Sequence, residues 1–245
     1  MSPEDFKPRS LPLAPLALPA HGVVHLWFFD LTELGDLLML GRVKDPNPLS
    51  ARHLRTARRF YQRLLLGAYL GIPGRDVRVV RTTRGKPALA DDDLRKRLNF
   101  NVSYSGSACL MGVSNGASLG IDLERRGRTV ARPVQLALRY FNAWEHEALA
   151  ALPPDRLDRA FLQTWACKEA LVKGLGRGIA DQLHRFAVSC DPDQPVSLLA
   201  MENDDARAWS VATLAPTDTY LGAVALRHSA LRLEGFRIQA PQTDN

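Results

Sequence analysis

Leu119-Gly120-Ile121-Asp122-Leu123-Glu124 is the stretch that decides the fold. Asn115-Gly116, just upstream, is a strong hairpin-turn signal. Apolar and acidic residues then alternate with the period of a strand, so Ile121 and Leu123 share one face and Asp122 and Glu124 the other. The apolar face can bury. The acidic face can grip a hard cation through oxygen ligands, or it can be a solvated strand face beside Arg125 and Arg126.

Upstream of this stretch, Phe100–Tyr104 and Ser107–Ser114 also read as strands, so the middle of the chain is strand-rich. Farther back, the pattern gives a strand at His21–Asp30, a helical stretch at Thr32–Leu40 and a loop at Gly41–Pro48. Ser50 is placed to cap a long helix that runs to about Tyr69 and ends at Gly71 and Pro73. A strand at Asp76–Thr82 and a turn at Gly85-Lys86-Pro87 follow.

Downstream, Arg132–Tyr140 is helical, and Asn142 with Glu145 three residues on forms a capping box for a second helix, which Pro153 and Pro154 stop. A stronger helix, Arg156–Lys173, ends at Gly174 and Gly176. Strand-like segments close the chain at Phe186–Ser189, Trp209–Leu214, Leu221–Leu226 and Leu231–Ile238. The expected architecture is α+β: residues 21–117 and 118–245 form two halves, each a long helix packed on a small antiparallel sheet. Leu11–Ala20 imitates a signal peptide, but prolines 12, 15 and 19 break its helix and Glu4 and Asp5 dilute the basic end. Residues 1–20 read as a poorly ordered Pro-rich leader.

Composition narrows the classes. The 245 residues are 46% hydrophobic and 24% charged, which excludes disorder, collagen and coiled coil for the chain as a whole. A net charge of +6 favours anionic partners without choosing among nucleic acid, phosphorylated small molecules and acidic proteins. Cys109, Cys167 and Cys190 form no CxxC pair, which points to a reducing, cytoplasmic setting and away from structural zinc. No apolar run approaches the ~18 residues of a membrane span.

Further chemistry lies on the two long helices. Trp165, Glu169 and Lys173 recur every four residues and make one ridge. Glu169 and Lys173 can be a solvated i,i+4 pair, or an acid and a base beside an apolar side chain that shifts their pKa values. Arg52, Arg55, Arg59 and Arg63 form a stripe suited to phosphates, to nucleic acid or to solvent. Lys86 in its rigid turn, and the polar run Asn99–Ser105, can hold phosphate oxygens or can be ordinary turn residues. Gly112-x-Ser114-x-Gly116 matches a hydrolase nucleophile elbow, but a strand follows it where that motif needs a helix.

In this order, His25-x-Trp27, Gly85-Lys86-Pro87, Phe100-Asn101-x-Ser103, Gly120-Ile121-Asp122-Leu123-Glu124, Trp165-x-x-Lys168-Glu169-Ala170-x-x-Lys173 and Gly176-x-Gly178 resemble the 4′-phosphopantetheinyl transferases of the larger, surfactin-synthetase-activating type. The resemblance implies a pseudo-dimer of two similar α+β halves with coenzyme A in the cleft between them. It implies Mg²⁺-dependent transfer (Mn²⁺ being a possible substitute) of the phosphopantetheine arm to a serine of an acyl or peptidyl carrier protein, releasing adenosine 3′,5′-bisphosphate. By the same resemblance, Asp122, Glu124 and Glu169 would ligate the metal. Glu169 would also be the general base, and Lys173 would stabilise the leaving phosphate. Arg55 (or Arg52 or Arg59), Lys86, Ser103, Tyr104, Asp122 and Lys173 would hold coenzyme A. A monomer is expected, with neither nucleic acid nor membrane as partner.

One residue departs from the family pattern: Tyr104 stands where the family usually has histidine. A neutral hydroxyl offers less to a phosphate than an imidazolium, so weaker coenzyme A binding with retained activity is expected. A coenzyme A-binding regulator without turnover, and a nucleic-acid-binding module using the arginine stripe, are the rival functions.

Overall fold

The computed structural model describes residues 1–34, 50–176 and 183–240. The expected end of the helical stretch Thr32–Leu40, the loop Gly41–Pro48 and Gly178 lie outside them. In chain order the elements are β1 (Phe6–Ser10), β2 (Val23–Asp30), α1 (Ala51–Leu70), β3 (Val79–Arg81), β4 (Pro87–Leu89), α2 (Asp92–Arg97), β5 (Asn99–Ser105), β6 (Ala108–Ser114), β7 (Leu119–Arg125), α3 (Pro133–Tyr140), α4 (Ala143–Ala150), α5 (Pro154–Leu175), β8 (Phe186–Val188), β9 (Leu198–Met201), β10 (Ser210–Thr217), β11 (Tyr220–Leu226) and β12 (Arg232–Gln239). The two main sheets run β1-β12-β2-β6-β5 and β10-β11-β7.

The fold is α+β, and its layers follow from alternation along the strands. On β2, Trp27 and Phe29 join the core under α1, whose Tyr61, Leu65, Leu66 and Tyr69 pack there. Val24, Leu26 and Phe28 point the other way and meet Leu119, Ile121 and Leu123 of β7 and Val224 and Leu226 of β11. The outer face of the smaller sheet, with Ala223 and Ala225, packs under Ala166, Ala170 and Leu171 of α5. The layers are therefore helix, sheet, sheet, helix. Burial on both faces explains why β2 reads as a nearly continuous apolar run rather than an alternating one.

Local signals set the helix ends. Ser50 Oγ accepts from the His53 amide to cap α1, and Gly71 closes that helix at φ +67°. Asn142 and Glu145 form the expected capping box of α4, and Gly176 closes α5 at φ +64°. Gly120 is needed for a different reason: a Cβ there would lie 1.8 Å from the Ala170 carbonyl oxygen and 2.3 Å from the Gly174 nitrogen. β7 and α5 approach backbone to backbone at this point, which sets Asp122 beside the last turns of α5.

Three expectations are corrected. Residues 1–20 are not a loose leader: β1 pairs in parallel with β12, and Leu11, Leu13, Leu16 and Leu18 pack on the core under α1. The prolines break a helix there, yet an extended chain with a leucine every two or three residues can still bury one side. β12, from the C-terminal half, pairs with β2 of the N-terminal half, also in parallel. The larger sheet is thus mixed rather than antiparallel, since the stacked layers let a short connection after β11 reach the neighbouring sheet. Finally, Asn115-Gly116 turns the chain but makes no hairpin: β6 and β7 lie in different sheets. Gly116 sits at φ +71°, and a Cβ would come within 2.1 Å of the Lys96 carbonyl oxygen.

Candidate active site

β7 is an edge strand of the smaller sheet, and β5 is an edge of the larger one. The two edges meet through side chains. Asn101 Oδ1 accepts from the Ile121 amide at 2.8 Å, and Ser103 Oγ donates to Asp122 Oδ1 at 3.0 Å. Asn101 and Ser103, from the run Phe100-Asn101-x-Ser103, thereby cover an edge that would otherwise expose ladder groups, and one of them reaches the key carboxylate.

From α5, Lys173 Nζ reaches Asp122 Oδ1 at 2.5 Å and Ser103 Oγ at 3.2 Å, and lies 3.5 Å from Glu169 Oε2. Asp122 is almost wholly buried and its Oδ2 has no hydrogen-bond partner. Glu124 lies farther out on the same face of β7 and pairs with Arg128 at 3.4 Å. Burial, with some repulsion from Asp122, raises the proton affinity of Glu124 and Glu169 above the usual glutamate range; Arg128 and Lys173 oppose this. Asp122, Glu169, Lys173 and Ser103 therefore form one cluster between the two halves.

This donor set fits a hard divalent cation. The donors are all carboxylate oxygens, one of them is buried without a partner, and the charge of Asp122 and Glu169 is offset by a single lysine. Among the described residues no three acidic, imidazole or thiol groups stand ready-made as a metal cage. In this structure Lys173 serves as the counter-charge.

The other phosphate-binding candidates make no hydrogen bond or ion pair with the cluster among the described residues. Burial pushes the Lys86 pKa down to about 8, and its Nζ donates to the Leu119 carbonyl at 2.7 Å, at the entry to β7. Gly85, at φ +83°, makes the turn that presents it. Arg55, Arg59 and Arg63 of the stripe line a cleft of about 550 Å³, but Arg52 does not. Arg58, Gln62, Arg81 and Tyr104 line the same cleft, and none of the first three stood out in the sequence. Four-residue spacing picks one ridge of a helix and passes over a neighbour such as Arg58, which only the packing of α1 on β5 brings in. Arg81 grips its own turn by donating to the Gly85 carbonyl at 2.8 Å.

Three motif residues turn out to be structural. Lys168 is fully buried; its Nζ is 2.5 Å from Glu145 Oε2, donates to the Phe186 carbonyl at 2.7 Å and lies over the Phe186 and Phe141 rings. His25 and Trp27 both meet the Tyr69 hydroxyl at 2.8 Å, which ties β2 to α1. At Tyr104, where weaker coenzyme A binding is expected, the Arg58 guanidinium lies 4.4 Å over the tyrosine ring, so a permanent positive charge stands beside it.

Comparison with known proteins bears on this cluster. Residues 118–225 match the family described as the 4′-phosphopantetheinyl transferase superfamily, and residues 52–115 match one described as 4′-phosphopantetheinyl transferase, N-terminal. The chain is 34% identical over 221 residues to the 4′-phosphopantetheinyl transferase HetI of a Nostoc species, covering 83% of this chain and 87% of that protein. It is 27% identical over 186 residues to the human L-aminoadipate-semialdehyde dehydrogenase-phosphopantetheinyl transferase, covering 70% of this chain and 60% of that one. Identity to 4′-phosphopantetheinyl transferase psf-1 of Bacillus pumilus is 31% over 134 residues, 54% of each chain.

Proposed function

The chain belongs to the 4′-phosphopantetheinyl transferase superfamily, an enzyme family that uses coenzyme A and acts on carrier protein domains, and we propose the following assignment of its parts. It is a member of the larger, surfactin-synthetase-activating type. It moves the phosphopantetheine arm to a carrier serine with Mg²⁺ as the metal and adenosine 3′,5′-bisphosphate as the released product. The observation that carries this reading is the cluster of Asp122, Glu169, Lys173 and Ser103, built from both halves and lying beside an arginine-lined cleft.

The serine oxygen attacks the phosphorus next to the pantetheine arm. That P–O bond forms as the bridging P–O bond of the pyrophosphate breaks. Glu169, whose proton affinity is raised by burial, takes the serine proton. Lys173, within reach of both acids, faces the charge that grows on the leaving phosphate. Asp122, Glu124 and Glu169 would hold the cation, whose chemistry is to offset pyrophosphate charge. Lys86 and Ser103 hold phosphates, and the arginines of α1 take the remaining anionic groups of coenzyme A. A concave cleft of about 550 Å³ suits a nucleotide-sized anion better than the flat face of a nucleic acid.

The carrier docks beside β7. Arg125, Arg126 and Arg128 are exposed there, and α3 presents Leu138, 67% exposed, so the surface offers positive charge and an apolar contact to an acidic partner. A reducing cytoplasm suits the three buried, unpaired thiols, and one chain supplies the whole cluster, as a working monomer needs. No helix among the described residues is long and apolar enough to cross a membrane.

The test is intact-mass spectrometry of an apo carrier protein incubated with this protein, coenzyme A and Mg²⁺. The expected result is a gain of one phosphopantetheine arm, lost with EDTA and with Glu169→Gln. Coenzyme A binding without any gain on several carriers favours the regulator, and absence of both sinks the transferase reading. Charge reversal at Arg125 and Arg126 that leaves carrier turnover unchanged removes the docking surface.

A further inference from the structure

The cleft is lined by five arginines and by no carboxylate among the described residues. Arg58 is the one most firmly placed. Its Nη2 donates to the Gly106 carbonyl in the β5–β6 turn at 2.5 Å, and its guanidinium carbon sits 4.4 Å from the centre of the Tyr104 ring. Its Nε is buried and has no hydrogen-bond partner, and Arg58 makes no ion pair with any described residue. A guanidinium carries five N–H donors. One is committed to Gly106, the guanidinium lies over the ring, and the Arg58 side chain makes no further hydrogen bond with the described residues.

We propose that Arg58 and Tyr104 act as one phosphate-binding unit for coenzyme A, the aromatic ring being the platform and the guanidinium the charge. The assignment rests on the transferase reading of the cleft. A charge fixed on a ring loses little side-chain freedom when an anion arrives, and the planar fork of donors matches phosphate oxygens. Tyr104 directly follows Ser103, the residue that touches Asp122 and Lys173; the two point to opposite faces of the edge strand β5, so the unit lies across that strand from the transfer centre. Two consequences follow. Tyrosine at this position supports binding without itself carrying charge. The binding charge is also permanent, because an arginine does not titrate where a histidine would. The charged and titratable groups that act on Tyr104 are Arg58 from α1, Arg81 from β3 and the buried Cys109 from β6.

Titration calorimetry of coenzyme A on the full chain tests the unit, with thermal melts showing that each variant is folded. Arg58→Leu is expected to weaken binding about 10- to 100-fold, the range for hydrogen bonds to a charged group. Tyr104→Leu is expected to lose a large part of the same binding, and the double variant to be within about twofold of Arg58→Leu, the non-additivity of groups that act together. Tyr104→His alone is expected to gain little, since an imidazolium would face the arginine. In the Arg58→Leu background, Tyr104→His is expected to restore affinity at about pH 6 and not at about pH 8, either side of the ~6.5 imidazole value. The same pH ratio measured on the unaltered protein corrects for ionisation of the phosphates.

Unaltered affinity in Arg58→Leu, or losses that simply add, would overturn the unit while leaving transfer activity as evidence for the enzyme. Failure of the unaltered protein to bind coenzyme A would overturn the functional reading and the unit with it.

Discussion

Lys168 and Lys173 lie on the same helix, five residues apart, and each is 2.5 Å from a carboxylate oxygen, yet they do opposite things. Lys168 and Glu145 are both wholly buried, and each has its other polar needs met: the lysine by the Phe186 carbonyl, the glutamate by the Asn142 and Val188 amides. Lys173 is about a quarter exposed and faces Asp122, Glu169 and Ser103, while Asp122 Oδ2 has no partner. One pair is closed and the other is open. A closed pair holds α4, α5 and β8 together; an open pair has capacity left for substrate or cation. Membership of a shared motif does not separate them; completeness of the hydrogen bonding does.

Breaking the closed pair gives the largest effect. Lys168→Met leaves Glu145 charged and buried, which typically costs about 3–5 kcal/mol. Chemical denaturation is expected to show that loss, while transfer per folded molecule stays unchanged. Adding Glu145→Gln, which removes the charge but keeps an amide-accepting oxygen, is expected to recover a good part. A Lys168→Met protein that is stable but inactive would erase the distinction between the two lysines.

Opening the cleft pair comes next. Lys173→Met is expected to lower kcat/KM for carrier modification about 10²- to 10³-fold, the range for loss of one donor aimed at developing charge. The midpoint of thermal unfolding should fall less than in Lys168→Met, because the Lys173 side chain is about a quarter exposed and Ser103 still donates to the buried Asp122. A large stability loss with modest loss of turnover would make Lys173 a second structural lysine.

Much of this arrangement was legible in the sequence, for reasons that also mark the limit. The strand Leu119–Arg125, the caps at Ser50 and Asn142, and the ends at Gly71 and Gly176 are set by neighbours a few residues away. The ridge of Glu169 and Lys173 follows from helical spacing and lands where that spacing places it. What escaped depends on distant segments. β1 hides in a proline-rich run and exists through pairing with β12. Arg58 lies off the four-residue ridge and gains its role from Tyr104, and Lys168 shows its nature only when Glu145, from another helix, meets it.

The smallest effect is the sharpest probe of the open pair, because it reads charge rather than contact. Burial raises the pKa of Glu169, the charge of Lys173 lowers it, and Asp122 raises it again. A general base works deprotonated, so turnover falls as pH drops through this raised value, above the ~4.3 of an ordinary glutamate. Lys173→Met removes the lowering influence and leaves both raising ones. The acid limb of kcat/KM should therefore move to higher pH in that variant. In Lys168→Met it should stay where it is in the unaltered protein, since Glu145, not Glu169, is that lysine's partner. Rate profiles of the three proteins at one fixed Mg²⁺ concentration decide the matter. A limb that moves with Lys168 rather than Lys173 would mean the two pairs are electrostatically joined through α5, and the separation between closed and open pairs would fail.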